Sequence, residues 1–166
     1  MPSDSTVKTA KDIRKFSLIQ LAITVVFLAV IFWVFDGSTD KYPPLWIPIF
    51  LVVAIGVCAF FSERVWLTAS PLDPAEDPER NEAKALEIFT GQTLRKLIIS
   101  EIPLLIAVLI CFIFTVGGWP VLIAGIPGVA VQAWETIPHL RNTSMTAAIL
   151  DSKGAESGLV ENFIAK

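Results

Sequence analysis

Residues 16–35 read FSLIQLAITVVFLAVIFWVF, and this run decides the fold. It holds 20 residues without a charge. At about 1.5 Å per helical residue, such a run crosses a hydrocarbon layer roughly 30 Å thick. Backbone polar groups in lipid must be satisfied within the segment, so the run has to be helical. A cleaved signal peptide has a shorter apolar region, usually about 7–15 residues, that ends at small residues. We therefore expect a retained transmembrane helix.

Three further apolar runs cover residues 45–61, 97–116 and 119–134. The chain is 54% hydrophobic and 17% charged, with a mean hydropathy of +0.64. Soluble domains average about 45–50% apolar and about 25% charged residues. The sequence predicts an all-α membrane protein with four transmembrane helices that form two hairpins.

The basic residues predict the orientation of these helices. Of 13 Lys and Arg residues, only Lys41 lies between the first and second runs, and none lies between the third and fourth. Loops rich in Lys and Arg stay in the cytoplasm. We expect a multi-pass protein of the inner (plasma) membrane with both termini cytoplasmic. Tryptophan prefers the headgroup level, and all five fall near predicted helix ends: Trp33, Trp46, Trp66, Trp119 and Trp134.

Five segments follow from this topology. They are a cytoplasmic N-terminal segment (1–15), a first hairpin (16–62), a cytoplasmic loop (63–96), a second hairpin (97–137) and a cytoplasmic tail (138–166).

Within the loop, Asp77, Pro78 and Glu79 are typical of a helix start. Helical spacing then predicts an amphipathic helix that runs into the third crossing, with an apolar face of Ala83, Leu86, Phe89, Thr90, Thr93 and Leu97.

The tail predicts two short helices, 144–150 and 158–164, broken at Gly154. The second has an apolar face containing Leu159, Val160, Phe163 and Ile164. Two alternatives are open for this face: it packs on the central loop, or it is offered to a partner. The amphipathic loop helix has the same two alternatives.

Glu101 is the carboxylate that this topology places inside a crossing, and ionisable groups in membrane helices mark functional sites by default. It lies about 6 Å from the start of its run by helical rise, which is close enough to reach headgroups or to pair with Arg95 or Lys96. Pro103 frees a backbone carbonyl one turn earlier. The candidate intramembrane functional residues are Glu101, Pro103, Gln20 and Gln132. A structural role and an ion- or proton-handling role both fit Glu101.

The fourth run contains Pro120, Gly125, Pro127 and Gly128. A helix broken there would expose backbone to an ion or a substrate. The alternative, which we favour, is a kinked helix whose small residues at positions 124 and 128 allow close packing.

Several function classes are excluded by composition. A net charge of −3 gives no basic face for nucleic acid. His139 is the single histidine, and Cys58 and Cys111 lie at different predicted depths, so no metal, haem or disulfide set is expected. No nucleophile, metalloprotease or phosphate-loop motif occurs. We expect no enzyme activity, no cofactor and no evident small-molecule substrate.

Two stretches carry a resemblance. Arg95-Lys96 followed by SEIP at 100–103, and the tail with Arg141-Asn142 and GAESGL at 154–159, resemble small four-helix integral membrane proteins of actinobacteria. Together these regions cover about half of the chain. Most such proteins have no assigned activity. Some of this size are accessory subunits of the cytochrome bc–aa3 respiratory supercomplex, whose large subunits hold the haems and copper. The resemblance implies no catalytic residue.

The sequence thus predicts a non-catalytic accessory or assembly subunit whose partners are a larger integral membrane complex and lipids. The alternative is a small transporter or proton-conducting protein that uses Glu101. A third hypothesis is a scaffold for cell-envelope enzymes that binds through helix 78–96 and the tail.

Overall fold

The computed structural model describes residues 9–35 and 41–164, and all regular structure in these ranges is helical. The predictions made for Lys8, Lys166 and the link 36–40 lie outside the described residues. The α-helices are α1 (Ala10–Val34), α2 (Trp46–Glu63), α3 (Pro78–Ile113), α4 (Trp119–Thr136), α5 (Leu140–Leu150) and α6 (Leu159–Ile164). A short 3₁₀ segment, Arg64–Thr68, continues α2.

Three helical stretches are long and apolar enough to cross a membrane: Ala10–Val34, Trp46–Thr68 and Pro78–Ile113. A fourth is counted if α4 and α5, which meet at a bend of 45°, form one span. Helix α4 is the interior helix of the bundle, packed against α1, α2 and α3. Its exposed positions form one narrow stripe, four residues apart, at Ile126, Ala130 and Trp134. The prediction of an all-helical protein with membrane-compatible helices is therefore confirmed.

Both ends of the bundle are recognisable from contacts. At one end, ring pairs join Phe35 to Phe112 with centroids 5.0 Å apart, and Tyr42 to Trp119 at 5.1 Å. At the other end lie the start of α1, the ends of α2 and α4 and the first half of α3. We call this second end the basic end, because among the described residues every Lys and Arg except Lys41 is there. Neighbouring α2, α3 and α4 alternate in direction.

The first core fills the bundle. It is built on Leu28 of α1, Ile47 and Leu51 of α2 and Leu104 of α3, together with small residues of α4. A Cβ added at Gly128 would lie 2.5 Å from Leu104 Cδ2. A larger residue at position 128 would force Leu104 to shift, so α4 packs closely on α3 there, in agreement with the close packing that the small-residue interpretation predicts. Helix α4 is also continuous through Pro127.

The second core lies at the basic end and forms what we call the cap: residues 69–96 together with α5 and α6. Leu72, Leu86, Phe89, Leu150 and Leu159 are buried in it. The Phe163 ring, also buried here, lies 5.1 Å from that of Phe89. The apolar face of the tail is thus packed on the central segment. The turn between α5 and α6 contains Gly154 at φ +87°, a conformation that favours glycine.

Helix α3 belongs to both cores. It begins where the sequence predicts, because the Asp77 carboxylate accepts a hydrogen bond of 3.1 Å from the Glu79 amide and Pro78 occupies the first turn. It then runs for 36 residues without a break. Of the positions predicted for its apolar face, Ala83 is exposed and the others are buried: Leu86, Phe89, Thr90, Thr93 and Leu97.

Candidate functional site

Polar side chains inside the bundle pair across helices. The buried Ser17 hydroxyl of α1 donates a hydrogen bond of 2.8 Å to the Thr136 carbonyl of α4. The amide of Gln132, fully buried in α4, donates to Thr24 Oγ1 of α1 at 3.3 Å. Interhelical hydrogen bonds of this kind hold membrane helices together. Gln132, a predicted candidate, therefore contributes to the α1–α4 contact.

A buried ion pair lies at the basic end of the bundle. Lys96 of α3 places its Nζ 2.9 Å from Glu135 Oε2 of α4. The two side chains are 9% and 6% exposed. Taking two charges out of water costs several kcal/mol per ion, so such a pair persists only when both charges are present and well placed.

A second ion pair lies beside the first. The Arg141 guanidinium of α5 donates from Nη1 to Glu63 Oε2 of α2 at 3.1 Å, and from Nη2 to the other carboxylate oxygen. The Glu63 and Glu135 carboxylates are close enough to interact electrostatically. We call these four residues the charged cluster. It joins α2, α3, α4 and α5.

A small recess opens at the charged cluster, with His139 and Trp134 also in its wall. Its volume is about 10 Å³, room for a single water molecule. His139 Nδ1 lies 2.9 Å from the Ile137 carbonyl, which fixes the proton on Nδ1, and the buried Nε2 has no hydrogen-bond partner in the described part of the chain. Across this recess the two ion pairs link α3 to α4 and α2 to α5.

Glu101 lies apart from the charged cluster, five residues beyond Lys96 on α3. The two partners suggested by sequence are engaged elsewhere: Lys96 pairs with Glu135, and Arg95 donates to Thr68 Oγ1 at 3.3 Å. Of the two possibilities named for Glu101, reaching headgroups or pairing with Arg95 or Lys96, the structure does not show the pairing. Within residues 9–35 and 41–164, Glu101 has no ion pair. It is half-buried at the edge of the apolar outer surface of α3.

The other candidates predicted from sequence do not gather around Glu101. Pro103 is fully buried in α3 and packs within the bundle. Gln20 is half-buried on α1, and its backbone carbonyl accepts a hydrogen bond of 3.0 Å from Thr24 Oγ1. Together with Gln132, these residues contribute to helix structure and packing.

An apolar groove separates α1 from α3 near the basic end. Its volume is about 240 Å³, and its walls include Phe16 and Ile13 of α1 and Leu94 of α3. Glu101 follows Leu94 by seven residues, which places both on the same face of α3. The groove and Glu101 together form one surface, which we call the α1–α3 surface.

Sequence reasoning missed Glu135, the best-buried carboxylate described in the bundle. The sequence places Trp134 near a predicted helix end and Lys96 at the end of the cytoplasmic loop, and neither position by itself indicates an ion pair. The sequence does carry a signal. Lys96 directly precedes the third apolar run, Glu135 directly follows the fourth, and the two residues have opposite charges. No metal-binding group of three or more His, Cys, Asp or Glu occurs among the described residues.

The chain was compared with models of protein families, with curated proteins and with solved structures. None of the three comparisons finds a match.

Proposed function

We propose that the chain is a non-catalytic accessory or assembly subunit of a larger integral membrane complex. In this proposal it crosses the membrane four times, with the basic end and both termini in the cytoplasm. Two features support this topology, one for the number of crossings and one for the orientation. Helix α4 has Trp119 at the level of Tyr42 at one end and Glu135 at the level of Lys96 at the other, so it extends as deep as its neighbours. The basic end carries the Lys and Arg residues that favour the cytoplasmic side.

One observation carries the functional proposal. Inside the bundle, the Ser17 hydroxyl and the Gln132 amide nitrogen donate hydrogen bonds across helices, and Lys96 pairs with Glu135. Glu101, at the lipid-facing edge, has no ion pair within the described ranges. A lone carboxylate in an apolar membrane surface is costly. A neighbouring subunit that supplies its partner removes this cost, and a docked subunit is the simplest source of such a partner.

A respiratory assembly is the specific complex that the resemblance to actinobacterial proteins implies. It fits a small chain without cofactor ligands, because the large subunits of such an assembly hold the redox centres. The observation on Glu101 concerns the surface of the chain that faces the membrane. It fits docking to any large membrane complex.

Native gel electrophoresis tests the proposal. Membranes containing a tagged chain are extracted with several mild detergents, and the tag is followed beside a haem stain. We expect the 18.2 kDa chain to migrate with a much larger assembly, and the haem stain to coincide if the complex is respiratory. A sample treated with a denaturing detergent gives the position of the free chain. Migration at that position in every mild detergent would show the proposal to be wrong.

In the transporter alternative, Glu101 is the central residue. A proton-leak assay in lipid vesicles tests this alternative. The purified chain is reconstituted around a pH-sensitive dye, with protein-free vesicles as the control. Equal proton leak for the wild type and Glu101→Gln would remove that alternative. The scaffold hypothesis has weaker support, because its docking residues Phe89, Leu159 and Phe163 are buried against one another in the cap.

A further inference from the structure

We propose that the α1–α3 surface receives a transmembrane helix of the partner complex, and that this helix presents a lysine or arginine side chain to Glu101. The inference rests on the proposed function and names the contact through which the subunit docks. Three observations carry it: the shape of the groove, the unpaired charge, and the absence of a matching cation in the membrane part of this chain.

The shape suits an apolar helix. The groove of about 240 Å³ between α1 and α3 is walled by Phe16, Ile13 and Leu94. Beyond it on α3, Ile98, Ile102 and Leu105 are all exposed. In the proposed topology the groove lies at the cytoplasmic level and the strip lies in the membrane. The transmembrane part of a neighbouring helix can therefore lie along the strip while its cytoplasmic continuation fills the groove, as ridges fill grooves between packed helices.

The charge of this surface is uncompensated. Glu101 stands about 8 Å along the helix axis from Lys96, by a rise of about 1.5 Å per residue, and Lys96 is engaged by Glu135 at 2.9 Å. Asp12, the acid of the groove wall, accepts a hydrogen bond of 2.7 Å from the Thr9 hydroxyl and has the cations Lys11 and Lys15 near it. The available charge is therefore the carboxylate of Glu101, and a cation is its complement.

A second copy of this chain does not carry that cation. Residues 16–40, 42–63 and 97–140 contain no Lys or Arg. At the depth of Glu101, a parallel second copy brings apolar or uncharged polar side chains and a second Glu101, and its nearest basic residues, at positions 14, 15, 95 and 96, lie nearer the basic end. The complement therefore belongs to a different protein, whose transmembrane segment carries a basic residue close to its cytoplasmic end. A basic residue at that place is tolerated because its long side chain also reaches the interface before docking.

Site-specific photo-crosslinking in intact membranes tests the contact. A benzophenone amino acid replaces Leu94 in the groove or, as the matched control, the exposed Val53 on α2. We expect the Leu94 probe to crosslink to one polypeptide, at a transmembrane segment in which mass spectrometry finds a lysine or arginine. The Val53 probe does not label that segment.

Charge substitutions complete the test. Glu101→Gln should lower the crosslink yield from Leu94 at least about tenfold, because loss of one partner of a desolvated charge pair weakens association strongly. Glu101→Lys combined with a Lys→Glu or Arg→Glu change in the partner segment should restore it. The thermal unfolding of the Glu101→Gln protein in detergent serves as the folding control.

Each other outcome overturns the inference. These are an adduct with a second copy, an adduct with lipid alone, a partner segment without a basic residue, labelling of the partner from Val53, and an unchanged yield in folded Glu101→Gln. In each of these cases, co-migration with a large assembly on native gels leaves the proposed function standing. Loss of co-migration refutes the proposed function itself, so the two failures are distinguishable.

Discussion

The Lys96–Glu135 pair offers the sharpest test of the structure. At a charge separation near 4 Å and an effective dielectric constant of about 20, the attraction is roughly 4 kcal/mol. The desolvation of both ions opposes it with a cost of several kcal/mol per ion. The pair is therefore close to neutral for stability, whereas removal of one member leaves a buried charge alone. We expect Lys96→Met to lower the free energy of unfolding by about 3–5 kcal/mol, more so because Glu63 lies beside the remaining carboxylate.

The assay is reversible unfolding in mixed micelles, followed by tryptophan fluorescence. The double variant Lys96→Met with Glu135→Met should recover most of the loss, since it removes both charges and keeps the volume similar. Arg141→Met is the matched control, because the side chains of its pair with Glu63 are 49% and 32% exposed, and an exposed pair contributes less than about 1 kcal/mol. If Lys96→Met costs no more than Arg141→Met, or if the double variant loses the sum of the two single losses, the buried pair does not exist as described.

Two further predictions use the same assay. Gly128→Ala should lower the free energy of unfolding by about 1 kcal/mol, because the added Cβ would lie 2.5 Å from Leu104. Gly56→Ala is the matched control, since no atom lies within 4 Å of the added carbon. It should raise the free energy of unfolding by up to about 1 kcal/mol through helix propensity. Changes of the same sign at both glycines would contradict the α3–α4 contact. Phe163→Ala should destabilise the cap by about 3–5 kcal/mol and expose the segment around Gly154 to limited proteolysis. An unchanged digestion pattern would show that the tail is not held by this side chain.

The fold follows from sequence to the extent that its determinants are local. Apolar runs predict the helices because lipid leaves the backbone no alternative, and Asp77 and Gly154 predict a start and a break because their chemistry acts over a few residues. Helix α4 is the instructive element. The other three long helices pack around it, and its interior position is a property of the packed bundle that no local pattern contains.

The sequence indicates the charged cluster only weakly, for a related reason. Lys96 and Glu135 are 39 residues apart, and each alone looks like an ordinary interfacial charge. Their pairing depends on the relative rotation of α3 and α4, which is a property of the whole contact between the two helices. Glu101 was found from sequence, since a carboxylate in an apolar run is visible. That its neighbours Arg95 and Lys96 are engaged elsewhere could be known only from the packed helices.

Helix α3 connects the membrane part of the bundle to the cap as one continuous helix. Its 36 residues correspond to a rod about 54 Å long, with Glu101 in one half and the cap residues in the other. From Glu101 back to Pro78 the rod measures about 35 Å, so a tilt of about 5° at the level of Glu101 moves the start of the helix by about 3 Å. A partner that docks against the membrane half of α3 and tilts this helix therefore also displaces the cap. The displacement of the cap is larger than that at the docking site.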